Sequence, residues 1–171
     1  MILLKLTAGG LRREEVWTRL EDDAPLPKDA PVLVSVTRWA EKPSDRAHEP
    51  GIGVWLAVGE DLPRDLPEPS VIALPFPAFN DGRAYSLARR LRRDGVTAEL
   101  RAYGDVLIDQ VRAMARVGFT AFEMADGTDI AAVSRALDAF PGVYQPAADD
   151  LVAAGWRRAA AVADAGGRAA E

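Results

Sequence analysis

Apolar positions along this chain fall into short continuous runs separated by turn residues. Val32 to Val36, Gly53 to Val58 and Val71 to Leu74 are continuous apart from Ser35 and rich in β-branched side chains, as expected of strands covered on both faces. Strand signals recur at 97 to 103 and 119 to 123. From residue 71 onward each strand signal is followed by Gly/Asp turn chemistry and then by a helical period. Over 83 to 93, Ala84, Leu87, Ala88 and Leu91 make one apolar stripe. Over 105 to 117, Asp105, Asp109, Arg112 and Arg116 form a single polar stripe, acids first and bases last as the helix dipole favours. A third helix is predicted over Thr128 to Phe140, and a weak one over Trp39 to His48.

The flanks read differently. Ile2 to Leu6, the Gly9-Gly10 turn and Val16 to Leu20 suggest a hairpin or meander, and Asp22 to Pro31 a linker. Asp61 to Pro69 is proline-rich and holds a short helix at best. The last 24 residues, Ala148 to Glu171, read as an alanine-rich amphipathic helix with Leu151, Trp156 and Val162 on its apolar side, then a Gly166-Gly167 tail. The alternation predicts an α/β fold: a mainly parallel sheet of about five strands, open or curled like part of a barrel, with an N-terminal β-meander and a C-terminal helix. One domain is expected, with residues 1–30 as the meander, 31–147 as the α/β core and 148–171 as the helix and tail.

Composition narrows the chemistry. With 171 residues, 49% of them hydrophobic, one core of ordinary size is expected. Cysteine is absent, which removes disulfides, thiolate metal sites and a cysteine nucleophile and suits a cytoplasmic address. His48 is the single histidine, so a histidine-rich metal centre is excluded. No apolar stretch reaches the roughly 18 residues of a membrane span, and membrane insertion is not expected. The net charge of −5 argues against nucleic acid as a partner. Its distribution is uneven: between Arg83 and Arg116 eight arginines face four acids, so this segment carries +4. Such a segment suits an oxyanion or an acidic protein surface, although for Arg89, Arg90, Arg92 and Arg93 the solvated helix face is the leading reading.

Ligand sites in parallel sheets gather at the carboxyl ends of the strands. Three segments belong there: 76–83, where Asp81 can cap the next helix and Arg83 projects from its first turn; Tyr103-Gly104-Asp105, with Asp105 placed as N-cap; and 125–129. Capping alone explains most of these residues. The strand 97–103 is less ordinary, because Glu99 and Arg101 alternate with apolar residues where a central parallel strand should be apolar on both faces. Either they face a polar cavity or the strand lies at an edge; a buried structural ion pair is favoured over a ligand site. Gln110 falls within the apolar arc of its helix and needs partners. The sequence has no GxGxxG, GxxxxGK[ST] or GxSxG signature. Asp81, Glu99 and Asp105 have no spacing diagnostic of a metal, and none is expected.

The block Phe76-Pro77-Ala78-Phe79-Asn80-Asp81-Gly82-Arg83-Ala84-Tyr85-Ser86-Leu87-Ala88-Arg89-Arg90-Leu91-Arg92, with Glu99 to Gln110 (ELRAYGDVLIDQ) and Arg116-Val117-Gly118-Phe119, resembles the bacterial domain of unknown function 934. The similarity is close over about 50 residues and weaker from the Val32 strand to Ala147. Ala84 stands where that family usually has glycine, and Val117 where many members have cysteine, which speaks against an obligatory cysteine chemistry. The resemblance implies an accessory of assimilatory sulfate and sulfite reduction, encoded beside the sulfite reductase. It also carries an oxidoreductase label for which these residues show no electron carrier, and no cofactor is assigned.

Two functions are therefore expected from the sequence. One is a cytoplasmic accessory that binds a partner, sulfite reductase or another sulfur-assimilation protein, or a sulfur oxyanion, through the Asp81 to Asp105 edge. The other is a small-molecule enzyme with Arg83 and Arg101 as oxyanion clamps, Glu99 or Asp105 as acid/base, and Tyr85 or Ser86 as the orienting hydroxyl. A homo-oligomer joined through the N-terminal hairpin and Trp156 is a third possibility.

Overall fold

Strand signals from one end of the chain to the other converge on a single sheet. The computed structural model describes residues 1–47, 51–140, 142–145 and 147–148. Its strands are β1 (Ile2–Thr7), β2 (Gly10–Glu14), β3 (Thr18–Arg19), β4 (Val32–Ser35), β5 (Ile52–Trp55), β6 (Val71–Phe76), β7 (Glu99–Gly104) and β8 (Ala121–Met124). The helices are α1 (Val36–Glu41), α2 (Arg83–Arg93), α3 (Val111–Arg116) and α4 (Ile130–Asp138), with 3-10 turns at Pro43–Ala47 and Ile108–Gln110. The C-terminal helix expected from 148 onward, Trp156 and His48 lie outside the described residues, Ala148 excepted.

The sheet order is β2-β1-β8-β7-β6-β5-β4-β3. Strands β3 to β8 run parallel, each beside the next in sequence, whereas β1 joins β8 and β2 antiparallel. The five parallel strands expected from the apolar runs are β4 to β8. The count of about five is corrected to eight and the sheet to mixed, because the N-terminal residues are not a separate meander. β1 pairs along β8, and the two-residue β3 pairs with β4 at the far edge. Period and propensity do not specify such a choice between sheet edges. The helix predicted over 105 to 117 is also shorter: Asp105 does not cap it, and regular α-helix begins only at Val111. The proline-rich 61–69 segment forms no helix.

Chain connectivity forces the sheet to curl. β2 and β3 occupy opposite edges, yet only residues 15–17 separate them. Four Cα steps span at most about 15 Å, while the edges of a flat eight-stranded sheet would lie roughly 34 Å apart. The sheet is therefore an open, curled, barrel-like layer. Consecutive right-handed crossovers place the helices on its convex side. There Val36 and Trp39 of α1, Ala84, Ala88 and Leu91 of α2, Val111 and Met114 of α3 and Val133 of α4 share one core with Val34, Ile72, Leu74, Leu100 and Phe122. A second, smaller apolar cluster, Leu33, Val71 and Ala73 with Trp17, Trp55 and Tyr103, occupies the concave side. No helix among the described residues is long and apolar enough to cross a membrane.

Candidate functional site

Two groups of polar side chains emerge, one at the carboxyl edge of the sheet and one inside its curve. At the edge, Asp81 holds the start of α2. Its Oδ1 accepts from the Arg83 backbone N–H at 3.0 Å, and its carboxylate takes the Arg83 guanidinium side-on, with Nε at 3.0 and 3.1 Å. The Arg83 side-chain bond, followed by its backbone N–H, lowers the Asp81 pKa from 3.8 to about 2. Because the folded-state value is depressed, the stabilisation from this pair is complete above the unfolded carboxyl's range and is lost as pH falls through about 2. A carboxyl-carbon NMR titration should place the Asp81 midpoint near 2, and Arg83→Gln should move it back toward 3.8; a midpoint near 3.8 in the unaltered protein would show that the pair does not form in solution.

Asp105 crosses to the neighbouring loop instead of capping its own helix. Its Oδ2 accepts the Phe79 N–H at 2.9 Å. Gln110 Nε2 donates to the Phe79 carbonyl, so both residues clamp the loop between β6 and α2. Beside that loop is a cleft of about 440 Å³, with Glu60, Asp61, Pro75, Asp81, Arg83 and Arg90 among its walls. Its two arginines are each tied to an acid, Arg90 to Asp61 at 2.6 Å and Arg83 to Asp81. Ser86 borders the same cleft. Tyr85 turns inward instead, its ring edge-on to Phe76 at 5.4 Å, and burial raises its hydroxyl pKa.

Glu99 and Arg101 belong to the second group. β7 is a central strand, and these side chains face the concave interior. Arg101, 1% exposed, donates Nε and Nη2 to Glu99 Oε1 at 3.0 and 2.7 Å, and Lys5 reaches the other Glu99 oxygen at 2.7 Å. Trp17 covers the Arg101 guanidinium, 4.9 Å from the ring centroid. Farther along the strands, Arg19 meets Glu123 at 2.9 Å and lies over Tyr103 at 4.4 Å. Tyr103 donates its hydroxyl to the Leu56 carbonyl, and burial raises its pKa while Arg19 opposes the shift. These contacts reach from β3 to β7 and β8, so the 15–19 strap crosses the concavity.

The structure thus separates residues that the sequence grouped. Asp81, Arg83, Ser86, Asp105 and Gln110 sit at the outer edge, Tyr85 packs against the core, and Glu99 and Arg101 lie inside the curve. Arg83 and Arg101 do not share a pocket. Lys5, Trp17, Arg19, Trp55 and Glu123 were not singled out from the sequence, and Tyr103 was placed at the carboxyl edge, whereas its side chain faces the concave interior. For Glu123 the signal was present, since it is an acid in an otherwise apolar central strand, the anomaly already noted at Glu99. Lys5, Trp17, Arg19 and Trp55 carry no such mark. No group of three or more His, Cys, Asp or Glu residues placed to hold a metal ion occurs among the described residues.

Residues 53–154, more than half of the chain, match the family model described as Bacterial protein of unknown function (DUF934). No curated protein and no solved structure matches.

Proposed function

We propose, from the premise that this chain belongs to the DUF934 family of bacterial proteins, that it is a cytoplasmic accessory of sulfite reduction that docks a partner protein on the carboxyl edge of its sheet. One observation carries the choice of face. Val58, Phe79 and Leu107, on the loops that follow β5, β6 and β7, leave 42%, 53% and 39% of their surface exposed. Large apolar side chains on consecutive loops at one edge suit an interface better than a solvated surface. Asp105 and Gln110 hold the Phe79 backbone from both sides, so the most exposed of the three is presented on a braced loop.

The same geometry weakens the oxyanion and enzyme readings at this edge. Arg83 and Arg90 already have carboxylate partners, and the cleft they border holds three acids to two arginines. A bound anion would have to compete with those carboxylates for the guanidinium charge. The resemblance to a family linked with sulfite reduction supplies the partner class, sulfite reductase or another sulfur-assimilation protein.

The test is complementation of a deletion strain on sulfate as sole sulfur source. The unaltered gene should restore growth, and Phe79→Asp/Leu107→Asp should not, while the purified double variant melts within a few degrees of the parent. Normal growth of the deletion strain on sulfate would sink the reading, and full rescue by the double variant would sink the choice of face.

A further inference from the structure

The concave interior carries a polar imbalance that its own side chains do not resolve. Across the concave face one register row runs Trp55, Ala73, Arg101, Ala121, Lys5, large and small side chains in turn. Trp55 Nε1 and Arg101 Nη1 are buried and have no hydrogen-bond partner, and the small Ala73 lies between them in the row. Glu123, two residues beyond Ala121 on the same face of β8 and fully buried, leaves Oε1 without a partner as well. Leaving such groups unmatched away from water is unfavourable. The ion pairs are also uneven, because Lys5 and Arg101 share one carboxylate, Glu99, and only Arg19 pairs with Glu123. These five groups are three cations against two carboxylates, an excess of one positive charge, with Lys5 and Arg19 reaching partly into solvent.

Two unmatched donors, one unmatched carboxylate oxygen and one excess positive charge specify a ligand. It must accept two hydrogen bonds, donate one, carry negative charge and be small. We infer that the interior of the curled sheet binds a small oxyanion that retains a proton, with Arg101 Nη1 and Trp55 Nε1 donating to its oxygens and its own O–H donating to Glu123 Oε1. Entry requires the strap to lift. Trp17 lies over Arg101 and Arg19 over Tyr103 and Glu123, and the strap is anchored to β4 by a short pairing, Thr18↔Val32 and Arg19↔Leu33, with the Leu20 N–H on the Leu33 carbonyl at 2.8 Å. This site is separate from the partner-docking edge and does not depend on it.

The probes are inorganic phosphate and sulfite, which keep a proton near neutral pH, and sulfate, which does not; chloride fixes the ionic strength. Phosphate or sulfite should raise the melting temperature saturably, with sulfate at least tenfold weaker. Trp55→Phe removes one donor and should raise the half-saturating concentration about tenfold. Glu123→Gln exchanges an acceptor for an amide donor and should shift the preference toward sulfate. Arg83→Ala, at the outer edge, should leave the half-saturating concentration and the selectivity unchanged. A response no greater than that of chloride would overturn the proposal, as would Trp55→Phe and Glu123→Gln variants that bind like the parent. Should Trp55→Phe fail to melt cooperatively, the selectivity change in Glu123→Gln decides.

Discussion

Gly104→Ala is expected to destabilise the protein by about 3–4 kcal/mol, combining the left-handed backbone penalty with overpacking. Gly104 ends β7 with φ at +104°, a region that side chains with a Cβ avoid. A Cβ there would stand 2.3 Å from the Phe76 carbonyl oxygen and 3.0 Å from its carbon. Both atoms are backbone of the paired strand β6, so no rotamer change can make room. The same oxygen accepts the Asp105 N–H at 2.7 Å, and Asp105 in turn holds the Phe79 loop. Relief of the clash would therefore disturb the carboxyl edge as well as the sheet. A fall in melting temperature on the order of 10 °C follows for a chain of this size. Urea unfolding is the direct check, and a loss below about 1 kcal/mol would mean that the strand end relaxes far more easily than its pairing implies.

Arg101→Ala carries the second large effect, about 3–5 kcal/mol, the usual result of removing one partner from a buried ion pair. Arg101 is among the largest fully buried side chains, and its loss opens a void beneath Trp17. It also leaves Glu99, whose side chain is only 9% exposed, with Lys5 as its one remaining cation. Arg101→Met separates the two causes, since it restores much of the volume without the charge. Combining it with Glu99→Gln should recover part of the loss, because the stranded carboxylate is then gone. Additive losses in the double variant would show that packing beneath Trp17, and not the ion pair, sets the cost.

The candidate site was unevenly legible. Asp81 and Arg83 could be placed at the start of α2 because turn chemistry and helix phase are local, and the α2 boundaries at Arg83 and Arg93 follow from one apolar stripe and its flanking turns. Glu99 and Arg101 were recognisable as anomalies because period-2 alternation conflicts with a strand buried on both faces. Their partners were not, since Lys5 and Trp17 lie more than 80 residues away in sequence.

What the sequence determined by itself was therefore local and periodic: the five parallel strands β4 to β8, helix α2 between β6 and β7, and the family block from Phe76 onward. Apolar runs, caps and turn residues act over a few positions and need no knowledge of distant neighbours. Tertiary structure alone decided that β1 closes onto β8, that β3 returns to the opposite edge, and that three residues between β2 and β3 curl the sheet. Those choices depend on which edge meets which across more than a hundred residues, and hydrophobic period is blind to strand partner. They also made the interior, because only once the sheet curls do Glu99, Arg101 and Glu123 lose water together, with Lys5 and Arg19 reaching in from its rim to answer their charge.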